Sequence, residues 1–244
     1  MTNQNGKYAV VTGAAKGLGH AIAKRLLEDG VSGLAILDFD IALAEQTAAN
    51  LGPNVFAIKC DVSDKDEVAA AFKIVYEKMG RVDILVNNAG ITRDASLVKM
   101  TEDQWEQVIR VDLNSAFYCT KQVIAKMKEQ KYGKIINVAS AAAFGNPGQS
   151  NYSAAKAGLI GFTRTISKEY AKYGITANSI SPGLINTDII KTIPEDILTR
   201  MVEAVPARRL GEPEEVASVV SFLASEDSNF ANGNNIMISG GMPF

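Results

Sequence analysis

The stretch Thr12-Gly13-Ala14-Ala15-Lys16-Gly17-Leu18-Gly19 decides the fold. It follows directly on the apolar, β-branched run Tyr8–Thr12 (YAVVT) and leads into the amphipathic segment Ala21–Asp29 (AIAKRLLED), so a strand passes into a helix through three glycines. Gly13 permits the tight turn, Gly17 lets the backbone approach a pyrophosphate, and Gly19 lets the helix pack closely on the strand. The amino end of that helix then offers its unsatisfied N–H groups to the phosphates. The GxxxGxG spacing is not the GxGxxG fingerprint, and the Gly-Lys-Ser/Thr of a triphosphate loop is missing. The place of the loop between the first strand and the first helix points to a dinucleotide, with Ala15, Lys16 and Leu18 completing the cradle.

Outward from this turn, Leu34–Asp38, Val55–Cys60, Ile84–Asn88, Lys134–Val138, Thr176–Ser181 and Asn235–Ser239 read as further strands. Between most of them lie helical stretches: Ala42–Leu51, Asp64–Met79, Asp103–Lys128 and Tyr152–Tyr173. Strands that alternate with helices imply parallel pairing through crossovers. Runs such as AVV, LAIL and ILV are apolar at successive positions, as strands covered on both faces require. The expected fold is α/β: one doubly wound, mostly parallel sheet with helices on both faces, spanning residues 1–244 as a single domain. Only the segment of about 186–210 breaks the rhythm, with a helical piece between Pro194 and Pro206. An excursion over the sheet's carboxyl edge at that point is expected to form a substrate lid.

Composition narrows the function. With 244 residues, 47% apolar, and 25 Lys+Arg against 27 Asp+Glu for a net charge of −2, the chain has the makings of an ordinary folded domain. No run of like charges suggests a nucleic-acid or membrane-surface role. Cys60 and Cys119 fit neither a zinc spacing nor a disulfide framework and read as buried fillers, and no metal site is expected. The opening MTNQNGK lacks the apolar core of a signal peptide and no apolar stretch is long enough to span a bilayer, so a reducing, cytoplasmic setting is expected.

Chemistry-bearing residues collect where strands end. Asp38 closes the second strand 25 residues after Gly13, near the distance at which a carboxylate accepts hydrogen bonds from the adenosine ribose and repels a 2′-phosphate. It could instead cap the next helix, a task open equally to Asp40, and Lys16 could pair with a 2′-phosphate or neutralise Asp38. Asp61-Val62 ends the third strand and could bracket an adenine; Asp61 or Ser63 could equally cap the helix near Asp64. The fourth strand ends in Asn87-Asn88-Ala89-Gly90, which is turn chemistry or part of a ligand site. Ser140 ends the fifth strand, and Tyr152 and Lys156 stand at i and i+4 on one helix face. A phenol of ordinary pKa near 10 is a poor acid or base at neutral pH, and a neighbouring ammonium favours its ionised form. Tyr152 can then exchange a proton with a carbonyl or alcohol oxygen that Ser140 holds, while Lys156 reaches a nicotinamide ribose.

Taken in order, TGAAKGLG, VDILVNNAGITRD, GKIINVAS, NYSAAKAGLIGFT, SPGLINTD and SGGM make the chain resemble the short-chain dehydrogenase/reductases, and among them the 3-oxoacyl-(acyl-carrier-protein) and acetoacetyl-CoA reductases. The resemblance implies a seven-stranded Rossmann-like domain, hydride transfer with NAD(P) and a homotetramer. It implies catalysis by Ser140, Tyr152 and Lys156, and cofactor contacts from Asn88, Ala89 and Gly90 and from Pro182, Gly183, Ile185 and Thr187 toward the carboxamide end. Three features depart from the family pattern. Asp112 stands where the family has a catalytic asparagine, with Asn114 two residues further on. Asp112 is expected either to meet Lys156 or to turn away and accept backbone hydrogen bonds. The Ser140–Tyr152 interval is one residue short, which tightens the loop Ala141–Ser150. Lys131 and Tyr173 occupy positions of carrier-docking arginines, leaving Lys128, Lys131 and Lys172 for an acidic carrier protein. The expected substrate is a 3-oxoacyl thioester on CoA or an acyl-carrier protein, with NAD(H) preferred over NADP(H). The alternatives are dehydrogenation of a small alcohol, a sugar alcohol or a steroid-like substrate, and, more distantly, a non-catalytic NAD-binding sensor.

Overall fold

The computed structural model describes residues 2–187, 190 and 194–242. Seven strands, β1 (Tyr8–Thr12), β2 (Gly33–Asp38), β3 (Val55–Lys59), β4 (Ile84–Asn87), β5 (Gly133–Val138), β6 (Ile175–Pro182) and β7 (Asn235–Ile238), form one sheet in the order β3-β2-β1-β4-β5-β6-β7. Every pairing is parallel, so the sheet is parallel throughout rather than mostly so. Strand order reverses direction between β1 and β4, and a crevice opens there beyond the strand ends.

The alternation of side chains sorts the core into two layers. Ala9 and Val11 of β1 join Leu34 and Ile36 of β2 beneath helices α1 (Gly17–Glu28), α2 (Ile41–Leu51) and α8 (Pro213–Ala224). Val10, Ala35 and Leu37 face the other way, onto α3 (Lys65–Met79), α5 (Ser115–Gln130) and α6 (Ser150–Tyr170). Cys60 and Cys119 lie in the second layer as free thiols, and burial pushes the Cys60 thiol up to about 12. No helix among the described residues is long and apolar enough to cross a membrane.

Several boundaries differ from the sequence reading for identifiable reasons. The expected helix Asp103–Lys128 is α4 (Glu102–Ile109), a π-helical turn at Arg110–Asn114, and α5. A wide turn of this kind shifts the phase of the apolar stripe between its flanks while each flank keeps its own helical period, so the two still read as one helix. α6 begins two residues earlier than expected and ends at Tyr170, with a 3₁₀ turn at Ala171–Tyr173. Asp64 caps α3 through the N–H groups of Asp66 and Glu67, which relieves Asp61 and Ser63 of that role. Asp40 caps α2 through the Leu43 N–H. In the expected lid, α7 (Glu195–Ala204) lies between the two prolines, whereas residues 188, 189 and 191–193 fall outside the described residues. Helix α8, which the sequence reading did not single out, carries a proline in its first turn and a capping box between Glu212 and Glu215.

Candidate active site at the carboxyl edge of the sheet

The loops after β1 and β4 clamp each other. Thr12 Oγ1 accepts hydrogen bonds from the N–H groups of Asn88 (3.0 Å) and Ala89 (3.1 Å). In return, Asn88 Nδ2 donates to the carbonyls of Thr12 (2.9 Å) and Gly13 (3.0 Å). The approach leaves Gly13 no room for a side chain: its φ is +62°, and a Cβ would stand 2.9 Å from Ala89 Cα. Gly17, at φ +58°, has nothing within 4 Å of where a Cβ would point, so this position opens onto free space. A Cβ on Gly19 would lie 2.6 Å from Asn88 Nδ2. Helix α1 starts at Gly17 with no side-chain cap and no acidic residue in its first turn, so its leading N–H groups and positive dipole end point into that space.

The Ala15 peptide is held on both sides. Its N–H donates to Asp38 Oδ2 (2.9 Å), and its carbonyl accepts from Thr47 Oγ1 (2.7 Å). Asp38 Oδ1 accepts from the Asp40 N–H, so backbone N–H groups, rather than Lys16, hold both oxygens of Asp38. Asp38 thus stands at the rim of the glycine loop, and the cap of α2 is Asp40. At the end of β3, Asp61 accepts from the Ser63 N–H and Val62 is buried.

Beyond β5, Ser140 opens a 3₁₀ turn at Ala141–Phe144 and accepts the Ala142 N–H on its Oγ (3.1 Å). On α6, Lys156 Nζ lies 5.4 Å from the centre of the Tyr152 ring. The ammonium donates to the Val138 carbonyl (3.0 Å) and stands 3.1 Å from Asp112 Oδ2. That second contact is an ion pair without the alignment of a hydrogen bond. Asp112 Oδ1 accepts the Ile91 N–H at 2.8 Å. Asp112 therefore meets Lys156 and does not turn away, although one of its oxygens also accepts a backbone hydrogen bond. Both partners are buried, Asp112 at 1% exposure and Lys156 at 2%. Burial pushes the Asp112 carboxyl up, although the Lys156 ammonium and the Ile91 N–H pull it back. Burial alone would depress Lys156; Asp112 and then Tyr152 outweigh it and raise the ammonium's pKa. Gly90 packs against this pair, and a Cβ there would sit 2.6 Å from Asp112 Oδ2 and 3.2 Å from Lys156 Nζ.

Pro182 ends β6, Gly183 donates to the Ile238 carbonyl, and Ile185 is buried and bridged to Gly211, with Thr187 two residues further along the same edge. Two residues to which the sequence reading gave no role support the cluster. Thr12 makes the clamp just described. Asn151, fully buried, donates to the carbonyls of Arg93 and Gln104 and accepts the Tyr152 N–H, tying the start of α6 to the loop after β4. A buried-type pattern around a polar residue beside Tyr152 was the available signal for Asn151; Thr12 carried none beyond its place at the strand end.

The pattern of a family described as enoyl-(acyl carrier protein) reductase matches residues 13–243. A 3-oxoacyl-(acyl-carrier-protein) reductase of Vibrio cholerae is 41% identical over 241 residues, covering 98% of both chains. An acetoacetyl-CoA reductase of Cupriavidus necator is 42% identical over 240 residues, covering 97% of this chain and 98% of the relative. A solved structure described as a putative gluconate dehydrogenase from Agrobacterium tumefaciens superposes with a TM-score of 0.94 at 34% identity, over 98% of this chain and 97% of the other.

The clamp makes a direct prediction. Thr12→Val keeps the shape but leaves two N–H groups unpaired at the crevice, a loss on the scale of about 1–3 kcal/mol. Nicotinamide dinucleotide binding, read by fluorescence titration, is expected to weaken about tenfold, and an unaltered Kd would remove the clamp from the binding site.

Proposed function

Because this chain belongs to the short-chain dehydrogenase/reductase family, whose members are nicotinamide-dependent oxidoreductases, we propose that it reduces the keto group of a 3-oxoacyl thioester to the 3-hydroxyacyl form. The observation that carries this reading is the end-to-end similarity to relatives named for that reaction. The pairing of Tyr152 and Lys156 on α6, with Lys156 bonded to Val138 at the end of β5 just ahead of Ser140, supports it. The bound nicotinamide supplies the hydride. Tyr152 gives its phenolic proton to the substrate oxygen and becomes a phenolate, which takes a proton back before the next cycle. The Ser140 hydroxyl donates a hydrogen bond to the same oxygen, stabilising the charge that develops there. Lys156, held by Val138 and Asp112, keeps a positive charge beside the phenol.

The residues present suit a dinucleotide. The uncapped start of α1 and the open space before Gly17 accept a pyrophosphate. Asp38 is set for the adenosine ribose and Asp61-Val62 for the adenine. Asn88-Ala89-Gly90 and Lys156 would hold the nicotinamide ribose, and Pro182, Gly183, Ile185 and Thr187 the carboxamide. Asp38 favours NAD(H), since its carboxylate accepts ribose hydroxyls and repels a 2′-phosphate.

Besides Phe39 and Phe144 on separate loops, exposed aromatic side chains include Trp105 and Phe117 on α4 and α5, and Phe222 and Phe230 on and after α8. Two such apolar regions suit a homotetramer, in which each chain needs two distinct self-associating faces. Lys128, Lys131 and Lys172 around Tyr173 line an open groove that suits an acidic carrier protein.

Turnover is expected to be faster with NADH than with NADPH, and Asp38→Ser is expected to narrow that preference about tenfold, worth ~1.4 kcal/mol; kcat/KM favouring NADPH in the unaltered enzyme would unseat Asp38. In the same assay acetoacetyl-CoA and acyl-carrier-protein substrates should outpace a simple ketone of equal acyl length, because the remote arm contributes binding energy to the transition state. Crotonyl-CoA, whose double bond is conjugated to the thioester, should be inert. Tyr152→Phe should lower kcat by orders of magnitude while dinucleotide binding persists. Equal rates with the simple ketone, or faster oxidation of gluconate, would favour the sugar- or small-alcohol reading. Sedimentation should report four chains per particle, and a monomer would overturn that assignment.

A further inference from the structure

The ion pair between Asp112 and Lys156 is enclosed by several elements of the fold. Asp112 comes from the π-helical turn between α4 and α5, Lys156 from α6, and the pair is enclosed by the end of β5 and the loop after β4. The charged or titratable groups that face it are Tyr152 and Lys156 of α6 and Asp112 itself. From β5 and the loop after β4 come only the uncharged Val138 carbonyl and Ile91 N–H. The ammonium that faces the Tyr152 ring at 5.4 Å therefore has the Asp112 carboxyl group 3.1 Å away, with both groups buried. In such surroundings a carboxylate cancels part of the field that the ammonium exerts on its other neighbour.

We propose that Asp112 is a positioning residue that sets the pH range of each reaction direction, by pinning Lys156 and offsetting its charge at the Tyr152 oxygen. The phenol then keeps its proton to higher pH, so that carbonyl reduction, which needs the proton, runs over a wide range. Alcohol oxidation, which needs the phenolate as base, begins only in more basic solution. Gly90 is part of the device, since any side chain there would press on the Asp112 carboxylate.

This inference rests on Tyr152 being the proton donor, and the activity of Tyr152→Phe tests that premise separately, with any ketone–alcohol pair the enzyme accepts. The test of Asp112 is Asp112→Asn, with Asp112→Ser as a second variant should the first not fold. Two readouts are used: the midpoint at which kcat/KM for alcohol oxidation rises with pH, and the tyrosinate absorbance step of the cofactor-free protein that Tyr152→Phe abolishes. Both midpoints are expected to fall by about one pH unit. An unchanged or raised midpoint in either readout, in a folded variant, overturns the proposal. Carbon NMR of labelled aspartate in the unaltered enzyme is an independent measurement: Asp112 is expected to be ionised at neutral pH and to sense the Tyr152 titration, and a protonated Asp112 overturns the proposal without any variant.

Discussion

The hydrogen-bonded clamp between the ends of β1 and β4 is the constraint on which the site depends. A doubly wound sheet always leaves a crevice where its strand order reverses, but that crevice has no fixed shape until the loops on its two sides are tied together. Here one hydroxyl, on Thr12, satisfies two N–H groups across the gap, and one amide, on Asn88, satisfies two carbonyls coming back. The four bonds bring Gly13 against Ala89 so closely that only glycine fits. They also aim the amino end of α1 into the crevice. The glycine loop and the Tyr152–Lys156–Asp112 cluster are thus two sides of a single hydrogen-bonded junction, since the Asn88-Ala89-Gly90 segment that closes the clamp continues into the Ile91 N–H that holds Asp112.

Burying the Asp112–Lys156 pair runs against the large cost of taking charges out of water. The cost is met by geometry: each oxygen of Asp112 has a donor or cation beside it, and Lys156 keeps a carbonyl partner as well. Removing one partner of such a pair leaves an uncompensated charge, which ties the Tyr152 environment to the integrity of the π-helical turn. Asn151 works in the same sense from the other side, because it fixes the first turn of α6 to the loop after β4 and so fixes the level at which Tyr152 stands. Function here is a matter of where charges are held, on a scaffold that many reactions share.

Sequence alone determined the parallel α/β architecture, the glycine turn after the first strand, and the gathering of Asp38, Asn88, Ser140, Tyr152 and Lys156 at strand ends or on one helix face. Apolar runs, turn glycines and i, i+4 spacing are local properties, so they survive without knowledge of neighbours. What only the tertiary structure decided is how individual polar groups are spent. Asp38, Asp40, Asp61 and Asp64 are chemically alike and closely spaced, and which of them caps a helix depends on backbone N–H groups that fall into place when α2 and α3 dock. The widened turn at Arg110–Asn114 shifts only the phase between two helices that each keep their period, yet it sets the direction of Asp112. Its side chain meets Lys156 because two elements 44 residues apart in sequence pack on the same end of β5, a long-range juxtaposition that no local pattern encodes.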